Sequence, residues 1–249
     1  MAPPAQNESL PFTGPSHTLQ FSGLLFDMDG TIIDSTEAIV KHWHAIGRQL
    51  GVDPEQILHD SHGRRSVDTL KMYDEKLATW ENVLEMEGRI PREYGDSAVE
   101  IPGSRALLES LEAARAPWMI VTSGTRPLLT GWLDVMKLAV PPVVVVAEDV
   151  AEGKPHPQCY QLGAERLGLG SPAETASKQI LVLEDAPAGV KAGKAAGFKV
   201  VGLATTHDVK RLQDAGADWI VRDLRSVTLE GWDKGSGLVT VKICDTLAA

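Results

Sequence analysis

Cysteine is nearly absent: only Cys159 and Cys244 occur in 249 residues. Two thiols make neither a disulfide framework nor a zinc cluster, so a reduced, cytoplasmic setting is expected. Positive charge is also scarce, with 24 Lys and Arg against 34 Asp and Glu, a formal net charge of −10. That balance argues against non-specific binding to nucleic acid or an anionic membrane, and it means that an anionic substrate needs locally placed cations. No apolar run reaches the length of a membrane span. The opening stretch, "MAPPAQNESLPFTGPSHT", lacks an apolar core segment and is rich in Pro, Ser and Thr. It is read as a flexible tail over residues 1–18, not as a secretory signal.

What is present is enough for a sizeable core. With 43% hydrophobic and 23% charged residues, the chain suits one domain plus an insert, or two domains. A first strand is expected over residues 20–26, where the continuous apolar end "GLLF" points to burial on both faces. Residues 35–98 then lose strand character. Ile39, Val40, Trp43, Ile46 and Leu50 recur at helical spacing before Gly51, a C-terminal stop signal. From Ile101 onward, helical and strand-like runs alternate, with Ser104 a candidate N-cap and a terminal hairpin around "DKGSG". Repeated β-α units predict a parallel sheet with helices on both faces. The expected division is a catalytic core over residues 19–34 and 100–249, with an all-helical cap over 35–99.

In open α/β sheets ligands bind outside the carboxyl ends of the strands. Four strand ends carry chemistry: Asp27-Met28-Asp29-Gly30-Thr31, Thr122-Ser123-Gly124-Thr125, Gly153-Lys154-Pro155 and Glu184-Asp185-Ala186-Pro187. Together they supply acids, hydroxyls, free backbone N–H groups and one lysine. Asp27, Asp185 and a backbone carbonyl offer the oxygen ligands that suit Mg²⁺. Lys154, Ser123 and the Gly124 N–H are candidate phosphate ligands. One Asp is then a covalent nucleophile, and the second, two residues on, a proton donor and acceptor.

Each of these residues also has a plainer reading. Asp27 and Asp29 suit a turn or a helix cap. Lys154 taken alone suits a solvated surface. Glu184 and Asp185 suit a helix N-terminus, and so do Ser123 and Thr125, although such a terminus is itself a phosphate site. In "SHGRRS", His62 and Arg65 are read either as reaching the non-phosphate end of a substrate or as an exposed turn. Trp43 is read as packing or as site roof. His42, His44 and His59 have no partners at metal-ligand spacing. Gly189, Gly193 and Gly197 recur every fourth residue within a predicted helix, which favours close helix–sheet packing over a dinucleotide fingerprint.

The motifs Asp27-x-Asp29-Gly30-Thr31, Ser123, Lys154 in "GKPHP" and Glu184-Asp185 in "EDAPAG", taken in order, resemble the haloacid dehalogenase superfamily of phosphatases. The resemblance spans about residues 20–222. It implies a Rossmann-like α/β core with a helical cap inserted after the first strand. It also implies Asp27 as nucleophile, Asp29 as general acid and base, and Mg²⁺ held by Asp27, the Asp29 main-chain carbonyl and Asp185, with Glu184 close by. "SHGRRSVDTL", "IPREYGDSAVEIPG" and "EDAPAGVKAGKAAG" are similar to fungal glycerol-3-phosphatases and 2-deoxyglucose-6-phosphatases. Asp34 departs from the first of these patterns, which has an apolar residue there. The expected activity is therefore Mg²⁺-dependent hydrolysis of a small polyol or sugar phosphate by a monomer, glycerol 3-phosphate first. A 2-deoxyglucose-6-phosphate or other sugar-phosphate phosphatase, a phosphomutase and a non-catalytic phospholigand-binding protein remain as alternatives.

Overall fold

In the computed structural model of the protein, residues 7, 9–61, 63–175 and 179–248 are described. The chain runs β1 (His17–Phe21), β2 (Gly23–Phe26) and β3 (Ile33–Asp34), then α1 (Thr36–Leu50), α2 (Pro54–Ser61), α3 (Ser66–Tyr73) and α4 (Trp80–Tyr94). After β4 (Val99–Glu100) come α5 (Ser104–Ala114), β5 (Trp118–Val121), α6 (Arg126–Met136), β6 (Val144–Val145), α7 (Gln158–Arg166) and α8 (Pro172–Thr175). The remainder is β7 (Ile180–Glu184), α9 (Pro187–Ala195), β8 (Lys199–Leu203), α10 (Val209–Ala215), β9 (Trp219–Val221), β10 (Val227–Asp233) and β11 (Leu238–Ile243).

Strands β2, β5 and β7 are buried at every residue, as continuous apolar runs require when helices cover both faces. They form the centre of a six-stranded parallel sheet ordered β6-β5-β2-β7-β8-β9. Alternate strand residues enter opposite cores. Phe26, Ile120 and Leu183 pack with Leu108 and Trp132 of α5 and α6, whereas Leu25, Met119 and Val182 pack with Tyr160, Val190 and Leu212 of α7, α9 and α10. The chain leaves β2 for β5 on one side and later returns to β7 on the other, so β2 ends at the topological switch point.

Three expectations need correction. The strand read over residues 20–26 breaks at Ser22. Its first part, alternating in exposure, pairs antiparallel with β11 in a separate sheet β1-β11-β10, and only its fully buried end joins the parallel sheet. The described part of the expected flexible tail lies on the core. The Asn7 side chain donates to the carbonyls of Ala204 (3.2 Å) and His207 (2.9 Å) and accepts from Val209 N (3.2 Å). Composition could not reveal these partners, which lie about 200 residues away. Gly103, not Ser104, is the N-cap of α5: its φ of 90° suits glycine, and Ser104 becomes the first helical residue.

The inserted helices α1 to α4 make their own apolar cluster around Trp43, Ile57, Leu70 and Val83. Gly51 ends α1 at φ 65°, with its N–H returning to Gly47 O. The two cap linkers pair with each other, Ile33 opposite Glu100 and Asp34 opposite Val99. Asp34 Oδ1 also accepts from Thr36 N at 3.0 Å, so this acid shapes the entry to α1. Among the described residues no helix is long and apolar enough to cross a membrane.

Candidate active site

β2 is followed at once by Asp27, whose N–H continues the sheet ladder to Leu183 O at 3.0 Å. β7 ends in Glu184, with Asp185 next, so three carboxylates meet at neighbouring strand ends. Oxygens of Asp27, Glu184 and Asp185 all lie within 4.8 Å of one another. Lys154 enters between them. Its Nζ donates to Asp27 Oδ1 at 2.6 Å, to Glu184 Oε1 at 2.7 Å and to Val121 O at 3.2 Å. The Tyr160 hydroxyl donates to Glu184 Oε1 at 3.1 Å, and Ala186 N to Glu184 Oε2 at 2.8 Å. Glu184 is thus used on both oxygens. Gly189 faces this carboxylate so closely that a Cβ would overlap it. Close packing therefore accounts for Gly189 and for Gly193, which abuts Val182 and Val200. Gly197 differs from that expectation: it lies past α9 at φ 84° with open space around it.

Gly30 turns the chain away at φ 90°, and its Cα lies against the Asp185 carboxylate, where a side chain has no room. Asp185 is held by Thr31 Oγ1 on Oδ1 at 3.2 Å and by Thr206 Oγ1 on Oδ2. Asp29, partly buried, takes the Ser35 hydroxyl on Oδ1 at 2.5 Å. Desolvation by burial raises the pKa of Asp29, against the pull of Ser35, Trp132 and Lys154. Burial, with Glu184 next, pushes Asp185 up to about 8. It also lifts Asp27 well above the usual carboxylate range in spite of Lys154. Lys154 is held strongly in the charged form by Asp27 and Glu184, which outweigh its own desolvation.

Three carboxylates, those of Asp27, Glu184 and Asp185, thus share one lysine. The donors of this acid cluster are all oxygens, and each carboxylate oxygen carries a second lone pair. A hard divalent cation fits that set. Asp27, Asp185 and Glu184 are the side chains that would surround it.

A cavity of about 120 Å³ opens over the cluster. Asp27, Asp29, Ser123, Gly124, Glu184 and Asp185 line it from the core, and Trp43, Leu58, Gly63, Arg64 and Glu87 from the cap. Trp43 therefore packs in the cap core and also roofs the site. Ser123 Oγ donates to Gly63 O at 3.1 Å, and Gly124 N donates to Thr122 Oγ1 at 2.9 Å. Arg65, a candidate substrate residue, is absent from the lining; its buried guanidinium donates to Val150 O and Ala151 O of the core. The exposed neighbour Arg64 faces the cavity instead. His62 lies outside the described residues.

A family model for haloacid dehalogenase-like hydrolases matches residues 24–203. This chain belongs to that family. The hydrolase is 38% identical over 243 residues to glycerol-1-phosphate phosphohydrolase 1 of Saccharomyces cerevisiae, covering 96% of this chain and 97% of that relative. It is 38% identical to 2-deoxyglucose-6-phosphate phosphatase 2 of the same yeast, covering 82% and 89%. Among solved structures, a hydrolase from Pseudomonas syringae superposes with a TM-score of 0.66 at 26% identity, covering 81% of this chain and 94% of the other. The chain is accordingly a phosphoric monoester hydrolase of the haloacid dehalogenase-like family.

Several side chains of this hydrolase's site escaped sequence reasoning. Thr206 and His207 line the cavity from the end of β8. They follow the same strand-end rule as the four motifs, and applying it to "KVVGLATT" would have found them. Glu87 offers no such signal. It sits in the cap, yet Oε2 accepts from Thr125 N of the core at 2.7 Å, and Ser66 Oγ donates to Oε1. Burial pushes Glu87 up to about 7, with Asp29 adding to the rise.

Proposed function

We propose that this hydrolase removes phosphate from a small polyol phosphate through an aspartyl-phosphate on Asp27, with glycerol phosphate the first substrate. The observation that carries the reading is the small roofed cavity over the cluster of Asp27, Lys154 and Asp185. At about 120 Å³ it falls well below the ~300–1,000 Å³ of an ordinary drug-sized pocket. It suits a three-carbon ester better than a hexose phosphate. The two yeast relatives match at equal identity, so identity alone does not choose between their substrates.

Lys154 engages Asp27 Oδ1, which leaves Oδ2 to attack phosphorus. Ser123 and Gly124 line the same cavity and receive the phosphate oxygens by exchanging their present partners. Asp29, with its pKa raised by burial, holds a proton more readily than a solvated acid and passes it to the leaving oxygen. Once ionised, it accepts a proton from the water that opens the acyl phosphate. Mg²⁺, bound by Asp27, Asp185 and the Asp29 carbonyl, would neutralise these acids and the approaching phosphate. The cap excludes bulk water during the first transfer.

The test is phosphate release from both glycerol phosphates, 2-deoxyglucose 6-phosphate and a hexitol phosphate, each with Mg²⁺ and with EDTA. Turnover should require Mg²⁺, and kcat/KM should be highest for one glycerol phosphate. The relative's name specifies the 1-phosphate and the sequence resemblance points to the 3-phosphate; these two esters are enantiomers, so the panel also reads stereochemical preference. A tenfold preference for the hexose ester, on the order of one hydrophobic or hydroxyl contact, would transfer the assignment to sugar phosphates. Equal rates in EDTA would remove the metal.

A further inference from the structure

Arg65 precedes α3 in the cap, yet its guanidinium grips the core. Nη1 donates to Val150 O at 2.7 Å and Nη2 to Ala151 O at 3.0 Å. Nε donates to Asp68 Oδ2 at 2.6 Å within the cap, and the Trp80 ring lies 5.7 Å away, centroid to guanidinium carbon. The residue is only 5% exposed. A Cβ on Gly153 would stand 2.7 Å from Arg65 Nε, so this close approach depends on glycine at the position before Lys154. A planar fork with donors on three nitrogens meets two carbonyls and one carboxylate at once, which a lysine ammonium on its single stem does not.

We propose that Arg65 is a positioning residue that seats the cap on the loop carrying Lys154, and so sets selectivity between esters without touching phosphate. Its kinetic side rests on the phosphatase reading above. Lys154 itself is held by Asp27, Glu184 and Val121 O, all core groups. Loss of Arg65 therefore leaves the phosphate site assembled and loosens the roof of Trp43, Leu58 and Gly63. A small polyol phosphate needs that roof to be held and kept dry. An aryl phosphate with a good leaving group, p-nitrophenyl phosphate, does not.

The experiment compares the wild type with R65Q and R65K on glycerol phosphate and p-nitrophenyl phosphate, together with amide hydrogen exchange. In R65Q, kcat/KM for glycerol phosphate should fall about 10- to 100-fold, the cost of losing a hydrogen-bonded charge at a closing interface. The value for p-nitrophenyl phosphate should change less than about threefold. R65K should recover part of the loss. Exchange in α3 and α4 should quicken while β7 stays protected. Equal losses on both esters would reduce Arg65 to a general fold support and overturn the proposal, as would no loss on either. Unchanged exchange in α3 and α4 overturns it too, and that arm needs no turnover. A wild type that releases no phosphate from any ester sinks the phosphatase reading and leaves the seating of the cap to the exchange data.

Discussion

The core mouth and the cap seam use charge in different ways. At the mouth, ionisable side chains meet one another: Lys154 with Asp27 and Glu184, and Asp185 close beside them. At the seam, cap side chains meet main-chain groups of the core: Arg65 on the Val150 and Ala151 carbonyls, Glu87 on the Thr125 N–H. The first arrangement depends on which side chains the core supplies. The second depends on where its backbone runs. Chemistry is therefore written in the core's side chains. The polar contacts of Arg65 and Glu87 read the core's backbone, beside the contact of a core side chain, Ser123, with Gly63 O and the packing of Ile90 against Leu128 and Trp132.

The sharpest way to break the comparison is at the nucleophile. Asp27→Asn should lower phosphate release by at least about a thousandfold while thermal unfolding stays cooperative. Near-normal activity would move the chemistry away from the mouth. Next comes Lys154→Met, which strands the buried carboxylates of Asp27 and Glu184 without their shared cation. Breaking a buried pair in this way costs about 3–5 kcal/mol, and denaturant unfolding should show a loss of that order together with lost activity. A stability close to wild type would mean that the acids stay protonated and never needed the cation.

A smaller effect is expected at the seam. The folded-state pKa of Glu87, about 7, lies above its ordinary value of 4.5. The folded protein thus keeps a proton that the unfolded chain releases, so this stabilisation is complete below about pH 4.5 and is lost as pH rises through about 7. Glu87→Gln should remove on the order of 1–3 kcal/mol of that decline, read from urea unfolding of both proteins at pH 4.5 and 7.5. Parallel slopes would place the titration elsewhere. The smallest change lies farthest from either site. Gly51→Ala puts a side chain at φ 65° with no neighbour within 4 Å. It should cost about 1 kcal/mol in melting experiments and leave turnover unchanged.

Most of the legible part of the site shares one property. Asp27, Ser123 and Asp185 each lie within two residues of the end of a strand, and the sheet brings strand ends together, whereas Lys154 lies nine residues past β6 and is carried in by its loop. Thr206, just past β8, is readable by the same rule. Glu87 and Arg65 were not readable as seam contacts, because their partners are backbone atoms, which every residue possesses and no sequence pattern marks. Asn7 is hidden for the same reason, bonding to main-chain groups of Ala204, His207 and Val209. The only trace of the split at Ser22 in the sequence is the alternation of polar Thr18 and Gln20 with apolar Leu19 and Phe21, which the apolar run after it outweighs.

By itself, the sequence determined the parallel α/β core, the inserted helical cap and the order of the acids and the lysine at the strand ends. Local periodicity and strand-end position are properties of neighbouring residues. Tertiary structure alone decided that Lys154 sits between Asp27 and Glu184, that Arg64 faces the cavity while Arg65 grips the core, and that Glu87 reaches Thr125. Those outcomes depend on the rotation of a helix and the path of a distant backbone, and both are set by the packing of the whole molecule.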